Sequence, residues 1–340
     1  MKSSLPLFVT IALLFCLSLV LSLAFGAVQI PLSTLTDVLW YKISGMRNGD
    51  WSNARELIIW HVRAPRSLLA MLTGGGLAIV GAVMQAAVRN SMADPYILGL
   101  SSGASAGASL AIFMGAMAGG TAFQIPLMAF LGSLLASAMV YFIAKENGRI
   151  FPGRLILAGI SISYLFSAIT SLLSILATEH KLREITHWLL GSVAGGNWEV
   201  LPIPAVVTTC GLIFLCLHGR ELNVMVLGDE TAVSLGVNPY SFRKTLFIVT
   251  SLVTGVLVAE TGAIGFVGLM IPHFIRLFGI NDYRKILPLS FFAGGIFLIW
   301  ADVAARSLFS PMELPIGIIT SICGAPCFIW ILKRQRRRAA

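Results

Sequence analysis

The sequence predicts an all-α polytopic membrane protein with about ten transmembrane helices in one domain, 1–340. Three observations predict this class. Charged residues make up 11% of the chain and hydrophobic residues 57%, whereas a soluble domain carries about 25% charged residues. Mean hydropathy is +0.87. Apolar runs close to the roughly 20 residues that cross a bilayer as a helix recur along the whole length. The runs do not alternate, which argues against a transmembrane barrel.

The first run, 5–27, exceeds the about 7–15 apolar residues of a signal peptide and is expected to remain as an uncleaved helix. The later spans are expected at 65–88, 95–117, 124–144, 154–177, 200–217, 241–260, 263–279, 286–307 and 314–332. Between them, 28–62 and 178–199 are the long outer loops. "LSTLTDVLWYKI" in the first is amphipathic and suits the membrane surface. With the N-terminus inside, Arg89, Lys145, Arg149, Arg154, Arg220, Arg243, Lys244, Arg276, Arg284, Lys285 and the terminal "KRQRRR" (333–338) fall inside. Lys42, Arg47, Arg55, Arg63, Arg66, Lys181, Arg183 and Arg306 fall outside. The inside excess of about two to one sets the orientation, with both termini cytoplasmic. The net charge of +9 is thereby a record of topology and of contact with anionic lipid, and no nucleic-acid partner is expected. The five cysteines all lie in apolar runs and make neither a disulfide framework nor a metal site, although Cys323 and Cys327 are one turn apart.

Several residues stand out against this background. In "GLSSGASAGASLAI", Gly99, Gly103 and Gly107 recur every four residues, a spacing that lets another helix backbone approach closely. With Ser102 and Ser105 they form a small, hydroxyl-bearing face suited to helix packing or to lining a passage. "GASAG" matches G-x-S-x-G around Ser105, but the serine lies in a membrane span instead of a strand-to-helix turn. Arg63 and Arg66 lie near an outer helix end, and Asp302 and Arg306 are four residues apart on one helix. Arginines from distant segments at one face suit either internal pairing and snorkelling or the docking of an acidic protein. His273 follows Pro272 in a span that the proline shortens, kinks or breaks. A proton-coupled carrier is the rival function, with Glu260 or Asp302 as the titrating acid.

The most punctuated stretch is "LGDETAVSLGVNPYSFRK", 227–244. Gly228 can start a short helix, Asp229 and Glu230 suit its first turn, and Gly236 suits the C′ position. Asn238 and Pro239 read as N-cap and first residue of a second short helix leading into the next span. The expected product is a rigid cytoplasmic knob.

These stretches, with "RAPRSLLAMLTGGGLAIVGAVMQAAVRNSMADPYILGLSSGASAGA", "HWLLGSVAGGNWEVL", "GAIGFVGLMIPHFIRL", "RKILPLSFFAGG", "ADVAARS" and "ELPIGIITSICGAPCFIWIL", resemble the permease subunits of ABC importers for iron chelates, haem and cobalamin over nearly the whole chain. The family's usual "NPLA" is replaced around Ser91 and Met92, which is expected to loosen the turn after Asn90. The resemblance implies a cobalamin-permease-like (type II ABC importer) fold of ten helices in a bacterial inner membrane. It implies a homodimer or close heterodimer with a passage on its axis, two cytoplasmic ATPase subunits, and an extracytoplasmic solute-binding protein. Leu227, Gly228, Asp229, Glu230, Ser234, Leu235 and Gly236 match its coupling helices. Arg63, Arg66 and Arg306 match arginines that meet the binding protein. No G-x-x-x-x-G-K-[ST] occurs, so no cofactor is expected on this chain, and ATP and Mg belong to the partner ATPase. A ferric siderophore is the expected cargo, with haem or cobalamin as alternatives.

Overall fold

A computed structural model describes residues 5–26, 28–46, 49–94, 96, 99–115, 123–146 and 149–339, with side chains of 5, 331, 332 and 334–339 excepted. Arg47, the start and end of the expected 95–117 span, and the side chains of the basic tail beyond Lys333 lie outside these residues.

Among the described residues six helices are long and apolar enough to cross a membrane, a bent pair makes a seventh candidate span, and three further apolar helices are shorter. The first is α1 (Leu5–Ala24), followed by the surface helix α2 (Leu32–Ser44). α3 (Asn53–Leu57) runs through a π-helical turn (Ile58–Arg63) into α4 (Ala64–Val88). The Ser52 hydroxyl accepts from the Arg55 amide and starts this continuous helix, twelve residues before the expected 65. The remaining long spans are α6 (Gln124–Ala144), α7 (Pro152–Leu176), α12 (Pro239–Thr261) and α14 (Tyr283–Ser307). The expected 200–217 span is instead α9 (Pro202–Leu217) plus α10 (Gly219–Val226), bent by 62°. The short members are α5 (Leu100–Phe113), α13 (Val267–Leu277) and the apolar part, Ile316–Trp330, of α15 (Ile316–Ala339). α13 carries Pro272 inside and spans 11 residues, shorter than the expected 263–279, but the helix continues past the proline and is cut at its start, where Phe266 is left-handed at φ +68°.

α4 is the axis of the bundle, with nearly every residue from Ala64 to Val88 buried. Small residues let its neighbours touch its backbone. A Cβ at Gly74 would collide with the Gly294 carbonyl of α14, and one at Gly81 with the Gly268 carbonyl of α13. α5 meets α6 in the same way, Gly103 against Gly132 and Gly107 against the Met128 carbonyl. Away from these contacts the surface is apolar, with Phe142, Tyr164, Ile175 and Leu217 among the side chains left exposed, as a lipid-facing exterior requires. A second small core forms under α2, where Leu35 and Val38 pack with Leu23, Trp51 and Ile59.

α8 (Glu179–Leu189) occupies the long 178–199 loop, and α11 (Asp229–Ser234) is the first of the two short helices expected within 227–244. A hairpin of β1 (Lys145–Glu146) and β2 (Arg149–Ile150) links α6 to α7. The turn after Asn90 is not loosened by Ser91 and Met92, because the Asn90 Oδ1 accepts the Met92 amide at 2.9 Å and its carbonyl accepts the Ala93 amide at 3.0 Å.

Candidate functional site

α4 carries one polar cluster at each end. Arg66 and Arg89 are 23 residues apart on it, which at 1.5 Å per residue separates the clusters by roughly 35 Å, the thickness of a membrane.

At the Arg89 end lies the knob. α11 starts after Gly228, whose φ of +117° only glycine adopts without strain. It ends on Gly236 at φ +82°, with the Gly236 amide bonded to the Val233 carbonyl at 3.0 Å and the Val237 amide to the Ala232 carbonyl at 2.9 Å. This pair of bonds is the Schellman closure that the glycine predicts. Asn238 then caps α12, its Oδ1 accepting the Tyr240 and Ser241 amides at 3.1 and 3.2 Å. The second short helix is therefore no separate element, because Pro239 opens the span itself.

Asp229 and Glu230 occupy the first turn but play different parts. Glu230 is exposed. Asp229 accepts from Arg243 Nη2 at 2.8 Å and lies 3.9 Å from Arg89 Nη2. Arg243 is wholly buried and also donates to the Ala87 carbonyl at 2.9 Å and the Ile150 carbonyl at 3.0 Å. One guanidinium thus ties the knob to the end of α4, to the β-hairpin and to α12. Sequence reasoning counted Arg243 only as a cytoplasmic charge. Its signal was its place, four residues into a capped helix that follows an acidic turn. The face turned away from this anchor is apolar and open: Leu227, Val233 and Leu235 are 64%, 59% and 58% exposed, and Ser234 is exposed beside them.

Beside the knob, Asn223 joins α10 to α14, donating to Asp282 Oδ1 at 2.7 Å and accepting the Tyr283 amide at 2.8 Å. The Arg284 side chain, with help from Asn223, holds the Asp282 carboxyl down at about 2. Asp94, between α4 and α5, is a buried carboxylate absent from the sequence-based expectations. It accepts the Tyr96 amide at 2.9 Å, and burial pushes its carboxyl up to about 6.

At the Arg66 end the structure brings Arg63, Arg66, Asp302 and Arg306 together. All four are buried. Arg63 donates to the Leu23 carbonyl at 2.7 Å, the Ala24 carbonyl at 3.0 Å and the Val28 carbonyl, and Arg306 donates to the Ser22 carbonyl at 2.6 Å. Two cations therefore sit on the negative C-terminal end of α1. Arg66 spans Asp302 Oδ1, at 2.8 and 2.9 Å, and Glu313 Oε2 at 2.8 Å. Arg306 Nε is 3.5 Å from Asp302 Oδ2, a charge contact not aligned as a hydrogen bond. Glu313 is the open member of this network, its side chain 49% exposed.

The α5 face is occupied. Gly103 and Gly107 are filled by α6, and Gly99, at φ +80°, abuts Ile162 of α7. Ser102 and Ser105 return their hydroxyls to their own helix, bonding the Gly99 and Ser101 carbonyls at 3.0 and 2.8 Å. Ser102 is the one residue of these five that is not fully buried. Among the described residues no three His, Cys, Asp or Glu side chains gather as a metal site.

Residues 13–334 match the FecCD transport family. The chain is 40% identical over 324 residues to the uncharacterized ABC transporter permease protein YvrB of Bacillus subtilis, covering 94% of this chain and 91% of that one. It is 37% identical over 317 residues to the vitamin B12 import system permease protein BtuC of Klebsiella pneumoniae, covering 92% and 94%. Among solved structures, a metal-chelate type ABC transporter in an inward-facing conformation superposes with a TM-score of 0.84 at 31% identity, covering 97% of this chain and 99% of that one. With its multi-pass fold and a polar anchor at each end of one buried helix, the chain belongs to the FecCD transport family and is an ABC transporter permease.

Proposed function

We propose that this permease imports a bulky metal chelate, a ferric siderophore in the first instance, using energy delivered by a separate ATPase through α11. Cobalamin is the second reading, favoured by the relatives named as vitamin B12 permeases. The observation that carries the proposal is the construction of the knob. An exposed apolar face of Leu227, Val233 and Leu235 needs a partner to cover it. A buried guanidinium behind it passes displacement directly to α4 and α12. Leu227, Gly228, Asp229, Glu230, Ser234, Leu235 and Gly236 form the element that seats in each of two cytoplasmic ATPase subunits, which hold ATP and Mg. Two copies of the permease flank the passage, with Ser102 the member of the α5 set available to face it.

On the opposite side, a solute-binding protein docks over Arg63, Arg66 and Arg306. Because these guanidiniums are engaged within the chain, docking exchanges acceptors: carboxylates of the partner take the place of Glu313 on Arg66. Asp302, buried against Arg66 and Arg306, is their counter-ion within the chain.

Vesicles containing the permease, its ATPase and its binding protein test the cargo. Uptake of an iron-loaded siderophore that requires both ATP and the binding protein is expected. Uptake driven by a proton gradient without the ATPase would overturn the mechanism, and uptake of cobalamin but not siderophore would select the second cargo. Leu227→Asp with Leu235→Asp is expected to abolish copurification of the ATPase while the permease stays monodisperse. Glu313→Gln is expected to strengthen binding-protein association at low salt, where exposed charges interact most.

A further inference from the structure

We propose that a recess at the ends of α6, α7 and α12 is a binding site for the phosphate-bearing headgroup of an anionic phospholipid. The recess holds about 470 Å³ and is walled by Lys145, Arg149 and Lys244 together with Tyr141, Tyr240 and Ser241.

Its shape is fixed from behind. The β1–β2 hairpin that carries Lys145 and Arg149 is tied to α12 by Arg243, whose Nη1 donates to the Ile150 carbonyl at 3.0 Å. The two tyrosines hold the cations in place. Lys145 Nζ and Lys244 Nζ each stand 5.9 Å from the Tyr141 ring centre, and the Arg149 guanidinium stands 4.9 Å from that of Tyr240, within reach of cation–π attraction.

Three like charges around one recess repel unless an anion sits among them. Among the described residues none of the three is in an ion pair. The carboxylates at hand are engaged elsewhere: Glu146 by Arg154 at 3.0 Å, and Asp229 by Arg243 at 2.8 Å.

The surroundings choose the source of the anion. The helices leading to the recess expose Phe142, Ile143 and Leu157 at 72%, 54% and 67%, an apolar wall against which acyl chains lie. A headgroup seated between the lysines keeps its chains on that wall. Tyrosine and basic residues together at the end of a span are what the headgroup layer favours. A soluble anion would gain nothing from the apolar wall.

The test uses the full-length permease, purified and reconstituted in phosphatidylcholine with or without phosphatidylglycerol, with retained lipid counted by native mass spectrometry. The wild type is expected to retain phosphatidylglycerol over phosphatidylcholine. K145Q/R149Q/K244Q is expected to lower that preference at least about tenfold, since each basic residue near an anionic surface contributes a several-fold factor. The single variant Lys244→Gln should lower it in part, and Arg183→Gln, an exposed cation on α8, should leave it unchanged. Retention by the triple variant equal to wild type would overturn the proposal. So would displacement of phosphatidylglycerol by inorganic phosphate, which marks a free-anion site. Retained lipid with loss of ATPase copurification in the triple variant would make the recess a protein contact and equally overturn it. Lipid retention is read without ATPase or cargo, so this result is independent of the transport cycle proposed above.

Discussion

Arg243 shows how much one side chain can hold. Its guanidinium is planar and spends three separate nitrogens on Ala87, Ile150 and Asp229, a division that the single ammonium of lysine does not reproduce. Arg243→Ala is expected to cost about 3–5 kcal/mol, because it leaves buried carbonyl acceptors unpaired and Asp229 with only the more distant Arg89 at 3.9 Å. Arg243→Lys should recover little of that. Thermal unfolding in detergent measures both. Asp94 yields a pH signature. Its carboxyl is raised to about 6 by burial, above the ordinary 3.8. The folded protein thus binds this proton more tightly than the unfolded chain, and stability rises as pH falls from about 6 towards 4. Asp94→Asn is expected to stabilise the protein by on the order of 1–2 kcal/mol at pH 7 and to have little effect near pH 4. An unchanged melting temperature at pH 7 would show that the carboxylate reaches solvent. Neither residue's role was legible in the letters. A basic residue at a span end records orientation by default, and only packing shows that its charge is spent inside.

At the scale of elements, local chemistry was well recorded. Gly228, Gly236, Asn238 and Pro239 mark the start, end, cap and first turn where the structure has them, because caps and left-handed positions depend on one or two residues alone. Gly236→Val tests this cleanly. Nothing lies within 4 Å of the added Cβ, so the expected loss of about 1–2 kcal/mol is purely the left-handed backbone. Lower ATPase association without loss of membrane insertion is the accompanying expectation. Element boundaries were read less well. The helix entering α4 begins at Asn53 because Ser52 caps it and a π-turn absorbs the irregular "IIWHVR". The polar residues there hid a continuous helix from a search for apolar runs. The 62° bend between α9 and α10 is likewise invisible to hydropathy, since both pieces are compatible with one span.

For the whole molecule, the close approach of small residues sets the architecture. Gly74 and Gly294 bring α4 and α14 into backbone contact, each filling the space a side chain on the other would need. Lipid supplies no hydrophobic drive between helices, so such contacts carry the association. Gly74→Leu is expected to cost more than about 3 kcal/mol and to yield aggregated or poorly inserted protein. Fluorescence-detected size-exclusion chromatography reads this directly. A monodisperse Gly74→Leu protein of wild-type stability would mean that α14 can back away from α4. The arrangement also makes α4 a strut between the two polar ends, with Arg66 in one cluster and Arg89 in the other.

By itself the sequence determined the membrane class, the ten apolar segments, the punctuation of the knob and the family resemblance, since each depends on composition or on neighbours within a few residues. Only the tertiary structure decided which charges are spent inside. Arg63 and Arg306 hold the end of α1, Arg66 holds Asp302 and Glu313, and Arg243 holds the knob. The physical reason is that a guanidinium's acceptors lie up to 284 residues away in the chain, and a long, flexible side chain commits to them only when packing places them within reach and excludes water.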